Sequence, residues 1–421
     1  MAYQKVKGTL DFYGLDSYKV RYVEAKAREL MKHCGFEEII TPIFENTDVF
    51  VRSSGDSSDV VTKEMYSFFD KGGRNITLRP EGTAGAVRCF LENKLYVDNP
   101  IKKFFYFGPM FRYDRPQAGR YRQFNQFGIE VFGDSSPFLD ADVIMNAYNI
   151  LHKALKINGV KLKINTIGDF ESRSNYSKKL KDYFSDKLES LCDDCKSRIE
   201  KNPLRILDCK VDSDNPILLN APKIKECLNE SSINNFKKVL EVLDVFKINY
   251  EVDESLVRGL DYYTDTVFEF ILDCDSELKG LAICGGGKYA DLLKGFGGPD
   301  IPGIGFAFGV ERIITIMDSQ NLFADIDNST DVVIISLDEE SRIYGMKLAE
   351  NLRDQKLIVQ MDLKNYSLKQ QFKLSDKLQA KYIIIIGEDE RKSGIITIKN
   401  TNNQKQEKIE VEKIIDFIRG E

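Results

Sequence analysis

The sequence predicts an α+β fold, because its strand-forming segments are mostly joined by hairpin-like or irregular stretches instead of alternating regularly with helices. This favours a mostly antiparallel sheet with flanking helices. Two changes of pattern add a Lys-rich helical insertion at about 180–255 and a small α/β domain at 331–421, where apolar strands alternate with amphipathic helices. A chain of 421 residues is long enough for two or three domains. We therefore expect a first domain at 1–325, a polar linker, and a second domain.

The first predicted elements are a helix and an interrupted strand. Apolar residues at helical spacing predict a helix from Ser17, its N-cap, to a stop at Gly35. The strand that follows is interrupted by Pro42, which cannot donate a ladder hydrogen bond and so suggests a sheet edge or a subunit contact. Further strands are predicted at 75–80, 101–108, 126–133, 264–272, 281–287 and 303–309.

Composition excludes several classes of protein. The chain is 30% charged and 42% hydrophobic, which is typical of a globular protein, and no stretch approaches the roughly 18 apolar residues of a membrane span. A cytoplasmic location without membrane contact is therefore expected. The net charge of -6 ordinarily argues against a nucleic-acid partner, although it says nothing about where the charges lie.

A basic hairpin carries the strongest chemical signal. Residues 102–122 contain six Lys or Arg residues against Asp114, a local charge of +5 suited to phosphates. On the returning strand, Gln126, Gly128 and Glu130 share one face because side chains alternate. A ligand against the backbone at Gly128 would explain that face, and a solvated hairpin with a basic rim is the alternative.

Three other segments combine polar residues with glycine. Glu81 precedes a predicted helix with Thr83 at its N-cap, which is explained by capping or by binding of a cationic amino group. The strand at 303–309 has a face of small residues that admits a flat group, with Arg312 in the following helix; tight packing is the alternative. Tyr262 and Tyr263 form a pocket wall or a polar turn.

The cysteines and histidines give weak signals. Eight cysteines in so long a chain do not suggest a disulfide framework, and reduced thiols are expected. Cys192 and Cys195 invite a zinc interpretation, but Cys209 and Cys227 are too far apart in sequence to form a second close pair. We therefore expect inert thiols. With two histidines, both inside helical patterns, a nucleophilic triad is not expected.

A basic stripe marks the C-terminal domain. Lys369, Lys373, Lys377 and Lys381 recur at four-residue steps, and residues 364–381 carry a charge of +4. A solvated helix face is the usual explanation, and an RNA-binding face is the alternative.

The hairpin motif FRYDRPQAGRYRQFNQFGIEVFG resembles motif 2 of class II aminoacyl-tRNA synthetases, GIGFAFGVERI resembles motif 3, and the Pro42 region resembles motif 1. Together with RPEGT, VRGLDYYT and AICGGGKYADLLKGFGG, they resemble the histidyl-tRNA synthetase family over nearly the whole chain. The resemblance implies a six-stranded antiparallel sheet with a helical insertion, a C-terminal anticodon-binding domain and a homodimer. It also implies ATP-dependent formation of histidyl-adenylate from L-histidine, followed by transfer to tRNA(His).

The same resemblance implies roles for individual residues. Arg258, Arg112 and Arg312 would be catalytic, and Mg2+ would arrive on the ATP, with no structural metal expected. The histidine-binding residues would be Glu81, Thr83 and Gln126 at the amino group, Glu130 and Tyr263 at the imidazole, and Tyr262 beside them. ATP would contact Arg112, Asp114, Arg120 and Arg312. The tRNA would contact Arg115, Arg120, Lys369 and Lys373.

Two positions depart from the family pattern. Asp114 stands where Glu is more common, which puts its adenine contact in question. Asn125 precedes Gln126 where His is common, and little effect on the pocket is expected because it points to the opposite face. Two rival functions are a regulatory subunit of ATP phosphoribosyltransferase, which usually lacks the C-terminal domain and catalytic arginines, and a non-charging RNA-binding protein.

Overall fold

The computed structural model describes residues 3–55, 58, 60–97, 101–114, 119–207, 209, 211–212, 214–257, 262–274, 277–324, 329–364 and 366–420. The chain forms two compact units, residues 1–324 and 325–421. No helix in these described ranges has both the length and the apolar character needed to cross a membrane.

The strands are β1 (Glu37–Glu38), β2 (Phe44–Asn46), β3 (Tyr66–Phe69), β4 (Asn75–Leu78), β5 (Lys102–Phe111), β6 (Gln123–Phe132), β7 (Val160–Thr166), β8 (Tyr250–Val252), β9 (Thr264–Leu272), β10 (Ala282–Tyr289), β11 (Gly303–Gly309), β12 (Val332–Ser336), β13 (Val359–Met361), β14 (Tyr382–Ile386), β15 (Ile395–Asn400) and β16 (Gln406–Glu410).

The α-helices are α1 (Leu15–His33), α2 (Thr47–Ser54), α3 (Thr83–Glu92), α4 (Pro137–Asn149), α5 (Phe170–Phe184), α6 (Asp193–Lys201), α7 (Pro216–Leu219), α8 (Glu230–Val245), α9 (Leu292–Gly295), α10 (Val310–Ser319), α11 (Glu339–Asp354), α12 (Leu368–Lys377), α13 (Glu388–Ser393) and α14 (Ile414–Arg419).

The first unit is built on an eight-stranded sheet in the order β1-β5-β6-β11-β10-β9-β7-β8. Its six central strands are antiparallel, and β1 and β8 add parallel edges. The predicted α+β class with a six-stranded antiparallel core is thus confirmed. A smaller antiparallel sheet has the order β2-β4-β3, and Pro42 lies in the segment between the end of β1 at Glu38 and the start of β2 at Phe44. Helices α5 to α8 lie between β7 and β8 and form the insertion.

The two faces of the large sheet differ in chemistry because side chains alternate along each strand. One face carries a run of stacked aromatic rings, with Phe105 5.8 Å from Phe127 and Phe127 5.3 Å from Phe308. These rings are buried. The opposite face holds the polar side chains of the site, so the aromatic layer supports the strands that carry it.

Helix α1 starts earlier than predicted. It begins at Leu15, and the Ser17 hydroxyl donates to the Gly14 carbonyl at 2.8 Å, so Ser17 lies in the first turn and is not the N-cap. The predicted stop is correct, since Gly35 has a φ of 77°, a conformation that favours glycine.

The second unit is a five-stranded sheet in the order β13-β12-β14-β15-β16. β12 pairs in parallel with both β13 and β14, whereas β15 and β16 are antiparallel additions. Isoleucine and valine side chains of β12, β14 and β15 form its core with α11.

Candidate active site

Ten of the predicted site residues line one cleft in the first unit, about 470 Å³ in volume. They are Glu81, Thr83, Arg112, Asp114, Arg120, Gln126, Glu130, Tyr262, Tyr263 and Arg312. Strand register brings several together, because Glu130 lies opposite Gly305 and Gln126 opposite Gly309. Arg258 and Arg115 lie outside the described residues. Lys369 and Lys373 belong to the second unit.

Glu130 is the most enclosed acid of the cleft, with 1% of its surface exposed. One carboxyl oxygen accepts from the Thr83 hydroxyl at 2.6 Å and from the Tyr106 hydroxyl at 3.3 Å, and the other accepts from the Tyr289 hydroxyl. Burial raises the pKa of Glu130 to about 8, against the opposing effect of these hydrogen bonds. Near neutral pH this carboxyl is therefore largely uncharged and surrounded by hydroxyls.

The space above Gly128 is filled by a side chain of the protein. Tyr106 lies opposite Gly128 in the β5–β6 pair, and a Cβ added at Gly128 would come within 2.4 Å of the Tyr106 ring. Gly82 is just as close, with 2.3 Å from an added Cβ to the same ring. Glycine at 128 is thus explained by Tyr106, and the expectation of a ligand lying there is wrong.

The start of α3 is capped by Glu81. Its carboxylate accepts from the backbone amides of Thr83 at 2.5 Å and Ala84 at 2.9 Å, and Gly82 occupies the N-cap position. Thr83 is therefore the first helical residue, and its hydroxyl turns to Glu130 instead of capping. Burial raises the pKa of Glu81, against the opposing hydrogen bonds and the charge of Arg112.

Gln126 offers the cleft an unused acceptor. Its Oε1 is buried and has no hydrogen-bond partner among the described residues. Because a buried polar atom without a partner is costly, a ligand that donates a hydrogen bond here gains affinity. An ammonium group supplies such a donor.

Arginines occupy another part of the same cleft. Arg112 donates to the Pro80 carbonyl at 2.8 Å and lies 5.5 Å from the Phe124 ring, whereas Arg312 donates to the Ala282 carbonyl. Burial and then the neighbouring Arg120 lower the pKa of Arg312, which reflects concentrated positive charge. This region can hold a polyanion.

The basic hairpin is less available to phosphates than its charge of +5 suggested. Lys102 pairs with Glu37 at 3.5 Å, Lys103 with Asp142 at 3.4 Å, and Arg120 with Asp114 at 3.2 Å. Only Arg112 and Arg120 of the described hairpin cations line the cleft. Glu37 and Asp142, both distant in sequence, thus compensate part of the local charge of +5, in which Asp114 is already counted.

The face of small residues on β11 is partly open. A Cβ at Gly305 would lie 2.2 Å from the Glu130 carboxylate, whereas one at Gly309 meets nothing within 4 Å. The predicted access for a flat group therefore holds near Ala307 and Gly309, both of which line the cleft.

Asn125 is absent from the described lining. Its backbone amide and its side-chain amide both donate to the Glu311 carboxylate, which fixes α10 against β6.

Several residues of the cleft were not predicted from the sequence, among them Tyr106, Tyr289, Arg205 and Glu269. Tyr106 lies in the nearly continuous apolar run of β5, and Tyr289 ends the glycine-rich strand β10, so neither tyrosine has a local signal that marks it as a site residue. Arg205 lies in the insertion, in a short 3-10 helix at Pro203–Ile206. Glu269 had a usable signal, because it is the one acid within the apolar run at 267–272 of β9.

The predicted basic stripe of the second unit is shorter than expected. Lys369, Lys373 and Lys377 lie on α12 with exposed side chains. Lys381 lies beyond the helix and pairs with Asp331 at 2.9 Å.

An antiparallel six-stranded core, with buried acids and arginines in one cleft, is the architecture of a class II aminoacyl-tRNA synthetase. A family model for histidyl-tRNA synthetase matches residues 8–313, and one for an anticodon binding domain matches residues 331–421. The chain belongs to the histidyl-tRNA synthetase family.

Relatives that match nearly the full length of the chain support the same family membership. The chain is 42% identical to a histidine–tRNA ligase of Anoxybacillus flavithermus over 420 residues, covering 100% of this chain and 99% of the relative. It is 46% identical to one of Lactococcus lactis over 408 residues, covering 96% and 94%. The solved S. aureus apo histidyl-tRNA synthetase has a TM-score of 0.84 at 37% identity, covering 99% and 100%.

A further solved structure shares the fold alone. A Bacillus halodurans protein described as an ATP phosphoribosyltransferase regulatory subunit/histidyl-tRNA synthetase gives a TM-score of 0.66 at 20% identity, covering 91% of this chain and 98% of that one. At that identity it carries no weight for the regulatory-subunit alternative.

Proposed function

We propose that this histidine–tRNA ligase binds histidine at the acidic part of the cleft and ATP at the arginine part. A histidine carboxylate oxygen attacks the α-phosphorus of ATP and pyrophosphate leaves; a terminal ribose hydroxyl of tRNA(His) then attacks the carbonyl and AMP leaves. The observation that carries this proposal is that buried acids and arginines line one cleft.

The amino-acid end is assigned by hydrogen-bonding capacity. The ammonium group donates to Gln126 Oε1, the buried acceptor without a described partner, and to the Glu81 carboxylate. Thr83 supports this position from the start of α3. The imidazole, which has one donor and one acceptor when neutral, contacts Glu130 and Tyr263, with the Tyr262 ring 4.6 Å from Tyr263. An amino acid without an imidazole cannot make these hydrogen bonds, which gives the selectivity for histidine.

The phosphate end is assigned by charge. Arg112 and Arg312 hold the phosphates, and Arg258 meets the histidine carboxylate and α-phosphate, where negative charge accumulates. Mg2+ comes with the nucleotide, and Glu269, a carboxylate of the same cleft, offers the oxygen ligand that Mg2+ prefers. Asp114 and Arg120 contact the adenosine part, although their own ion pair must then rearrange.

Pyrophosphate exchange against all twenty amino acids tests this assignment, and histidine alone should support exchange. Arg258→Ala should lower histidine-dependent exchange by about 100-fold or more, because a fixed cation at the developing charge is lost. Arg74→Ala is the matched control, since Arg74 is exposed and pairs only with Asp70 among the described residues. Unchanged exchange in Arg258→Ala would remove that residue from the mechanism.

The tRNA assignment includes the exposed lysines of α12. Lys369 and Lys373 would contact the tRNA from the anticodon-binding domain, and Arg115 and Arg120 would contact its acceptor end. Lys369→Gln with Lys373→Gln should weaken tRNA binding and reduce the salt dependence by about two counterions. Lys405→Gln with Lys408→Gln makes the same charge change at exposed positions of the same unit. Equal weakening in both doubles would mean a nonspecific charge effect.

A homodimer and a cytoplasmic location complete the proposal. Ile40, Ile43 and Phe44 lie beside Pro42 with exposed fractions of 82%, 43% and 56%, and an apolar surface of this kind suits a subunit contact. Sedimentation of the full chain as a monomer at micromolar concentration would contradict the dimer. A cytoplasmic location follows from the ATP and tRNA that the reaction consumes.

A further inference from the structure

Three thiols and a carboxylate meet in the insertion, away from the assignments above. The ligand atoms of Cys192, Cys195, Cys209 and Asp212 all lie within 4.8 Å of one another. Cys192 Sγ is 3.6 Å from Cys209 Sγ, and Cys209 Sγ is 3.7 Å from Asp212 Oδ2. Cys195 is fully buried, and Cys209 and Asp212 are 5% and 9% exposed.

The two shortest separations given, 3.6 and 3.7 Å, agree with a single tetrahedral ion, and the full set within 4.8 Å would contract around it. Zinc–sulfur bonds of about 2.3 Å and zinc–oxygen bonds of about 2.0 to 2.2 Å place the ligand atoms of a tetrahedral site about 3.5 to 3.8 Å apart. The two sulfur atoms are too far apart for a disulfide, whose bond is about 2.05 Å long. The spacing therefore matches shared coordination better than a covalent link.

We propose that Cys192, Cys195, Cys209 and Asp212 bind a structural Zn2+ ion. Each pair of ligands has two residues between its members, first Cys192 with Cys195 and then Cys209 with Asp212. The second pair is hidden in the sequence because Cys209 has no cysteine near it, and its partner is the carboxylate of Asp212. The proposal replaces the expectation of inert thiols and of no structural metal.

The backbone around the cluster is already arranged for such a site. Cys192 is the N-cap of α6, and its amide donates to Asp212 Oδ2 at 3.0 Å. The Asp212 amide in turn points to Cys209 Sγ at 3.5 Å. Hydrogen bonds of this kind hold ligand side chains in the orientation that a metal requires.

The ion would brace the part of the insertion that reaches the active-site cleft. The 3-10 helix at Pro203–Ile206 lies between the two ligand pairs, and its Arg205 side chain lines the cleft. Arg198 of α6 donates to the Arg205 carbonyl at 3.1 Å, which joins this helix to the one that Cys192 caps. Metal binding thus connects the fold of the insertion to the position of Arg205.

Metal analysis of the full chain, purified without chelators from zinc-containing medium, tests the site directly. We expect about one zinc per chain in the wild type and in Cys227→Ser, a control that removes a cysteine of the same insertion outside the cluster. Cys209→Ser should fall below about one tenth of a zinc per chain. Removal of zinc by a chelator should lower the melting temperature of the wild type, and added Zn2+ should restore it.

Cobalt substitution gives a second readout that does not depend on activity. Co2+ bound by three thiolates should show strong visible absorption typical of tetrahedral coordination, and Asp212→Asn, which keeps the side-chain size, should shift that spectrum. This variant also serves if Cys209→Ser fails to fold.

Several outcomes would overturn the proposal. They are zinc near zero in the wild type with no cobalt absorption, equal metal loss in Cys227→Ser, or a Cys192–Cys209 disulfide found by mass spectrometry in the freshly purified chain. Pyrophosphate exchange is measured separately, so a missing metal does not bear on the histidine assignment.

Discussion

Two neighbouring residues of β10 reach two buried carboxyls on opposite faces of the same sheet. The Tyr289 hydroxyl donates to Glu130 on the cleft face. Lys288 points the other way, where its ammonium lies 3.5 Å from an Asp140 oxygen of α4 and donates to the Ser135 carbonyl at 2.6 Å. One strand thus separates a carboxyl with hydroxyl partners alone among the described contacts from a carboxyl paired with a cation as well as with the Thr266 hydroxyl.

The difference in partners gives the two carboxyls different charge states. Burial raises the pKa of both, to about 8 for Glu130 and to about 6 for Asp140, where Lys288 opposes the effect of burial. Near neutral pH, Asp140 is mostly ionised and paired inside the protein, whereas Glu130 is mostly neutral. The ionised Asp140 carboxyl therefore has its charge compensated inside the protein by Lys288, whereas the Glu130 carboxyl of the cleft carries little charge to compensate.

Removal of the internal cation should have the largest effect. Lys288→Met leaves the buried Asp140 carboxylate without its cationic partner. We therefore expect the free energy of unfolding at pH 8 to fall by about 3 to 5 kcal/mol. The loss should be smaller at pH 5, where Asp140 can take up a proton. Urea unfolding at the two pH values measures both effects.

Lys294→Met is the matched control for Lys288→Met. Lys294 makes an exposed ion pair with Asp300 at 3.3 Å, and such pairs contribute about 0 to 1 kcal/mol. If both variants lose the same stability, the pair at Asp140 is no more important than a surface contact, and the contrast between the two faces of the sheet disappears.

The strand pattern predicted which residues share a face, but not which partners they meet. Alternation along β6 correctly placed Gln126 and Glu130 on the other face of the sheet from Phe127, because the two-residue repeat of side chains along a strand is a local property. Two of the three hydroxyl partners of Glu130, Tyr106 and Tyr289, come from positions 24 and 159 residues away. Such meetings depend on which strands pair, and the order of eight strands is not encoded in any one segment.

The cleft carboxyl should give the protein a pH dependence that Glu130→Gln removes. Because its pKa is about 8, folded Glu130 keeps a proton that the unfolded chain loses above about pH 4. The contribution of Glu130 to the free energy of unfolding is therefore fully present at low pH. It declines by roughly 1 kcal/mol per pH unit as the pH rises to about 8. Relative to Glu130→Gln, the wild type should lose melting temperature across this range and level off above it.

Glu251→Gln provides the comparison for this pH series, since Glu251 pairs with Lys161 near the sheet edge and is partly exposed. If the melting temperatures of the wild type and Glu130→Gln change with pH by the same amount, Glu130 is ionised in the folded protein across this range. The contrast with Asp140 would then be wrong.

The smallest effect should come from Tyr289→Phe, which removes one hydroxyl from Glu130 and keeps the ring. One lost hydrogen bond to a buried group costs about 1 kcal/mol. Because that bond lowers the pKa of Glu130, its loss should move the end of the pH-dependent decline to higher pH. Tyr13→Phe, at a side chain 78% exposed, should leave the decline in place. A decline that ends at lower pH in Tyr289→Phe would mean that the hydroxyl had favoured the neutral carboxyl, and Glu130 would then owe its proton to Tyr289 as well as to burial.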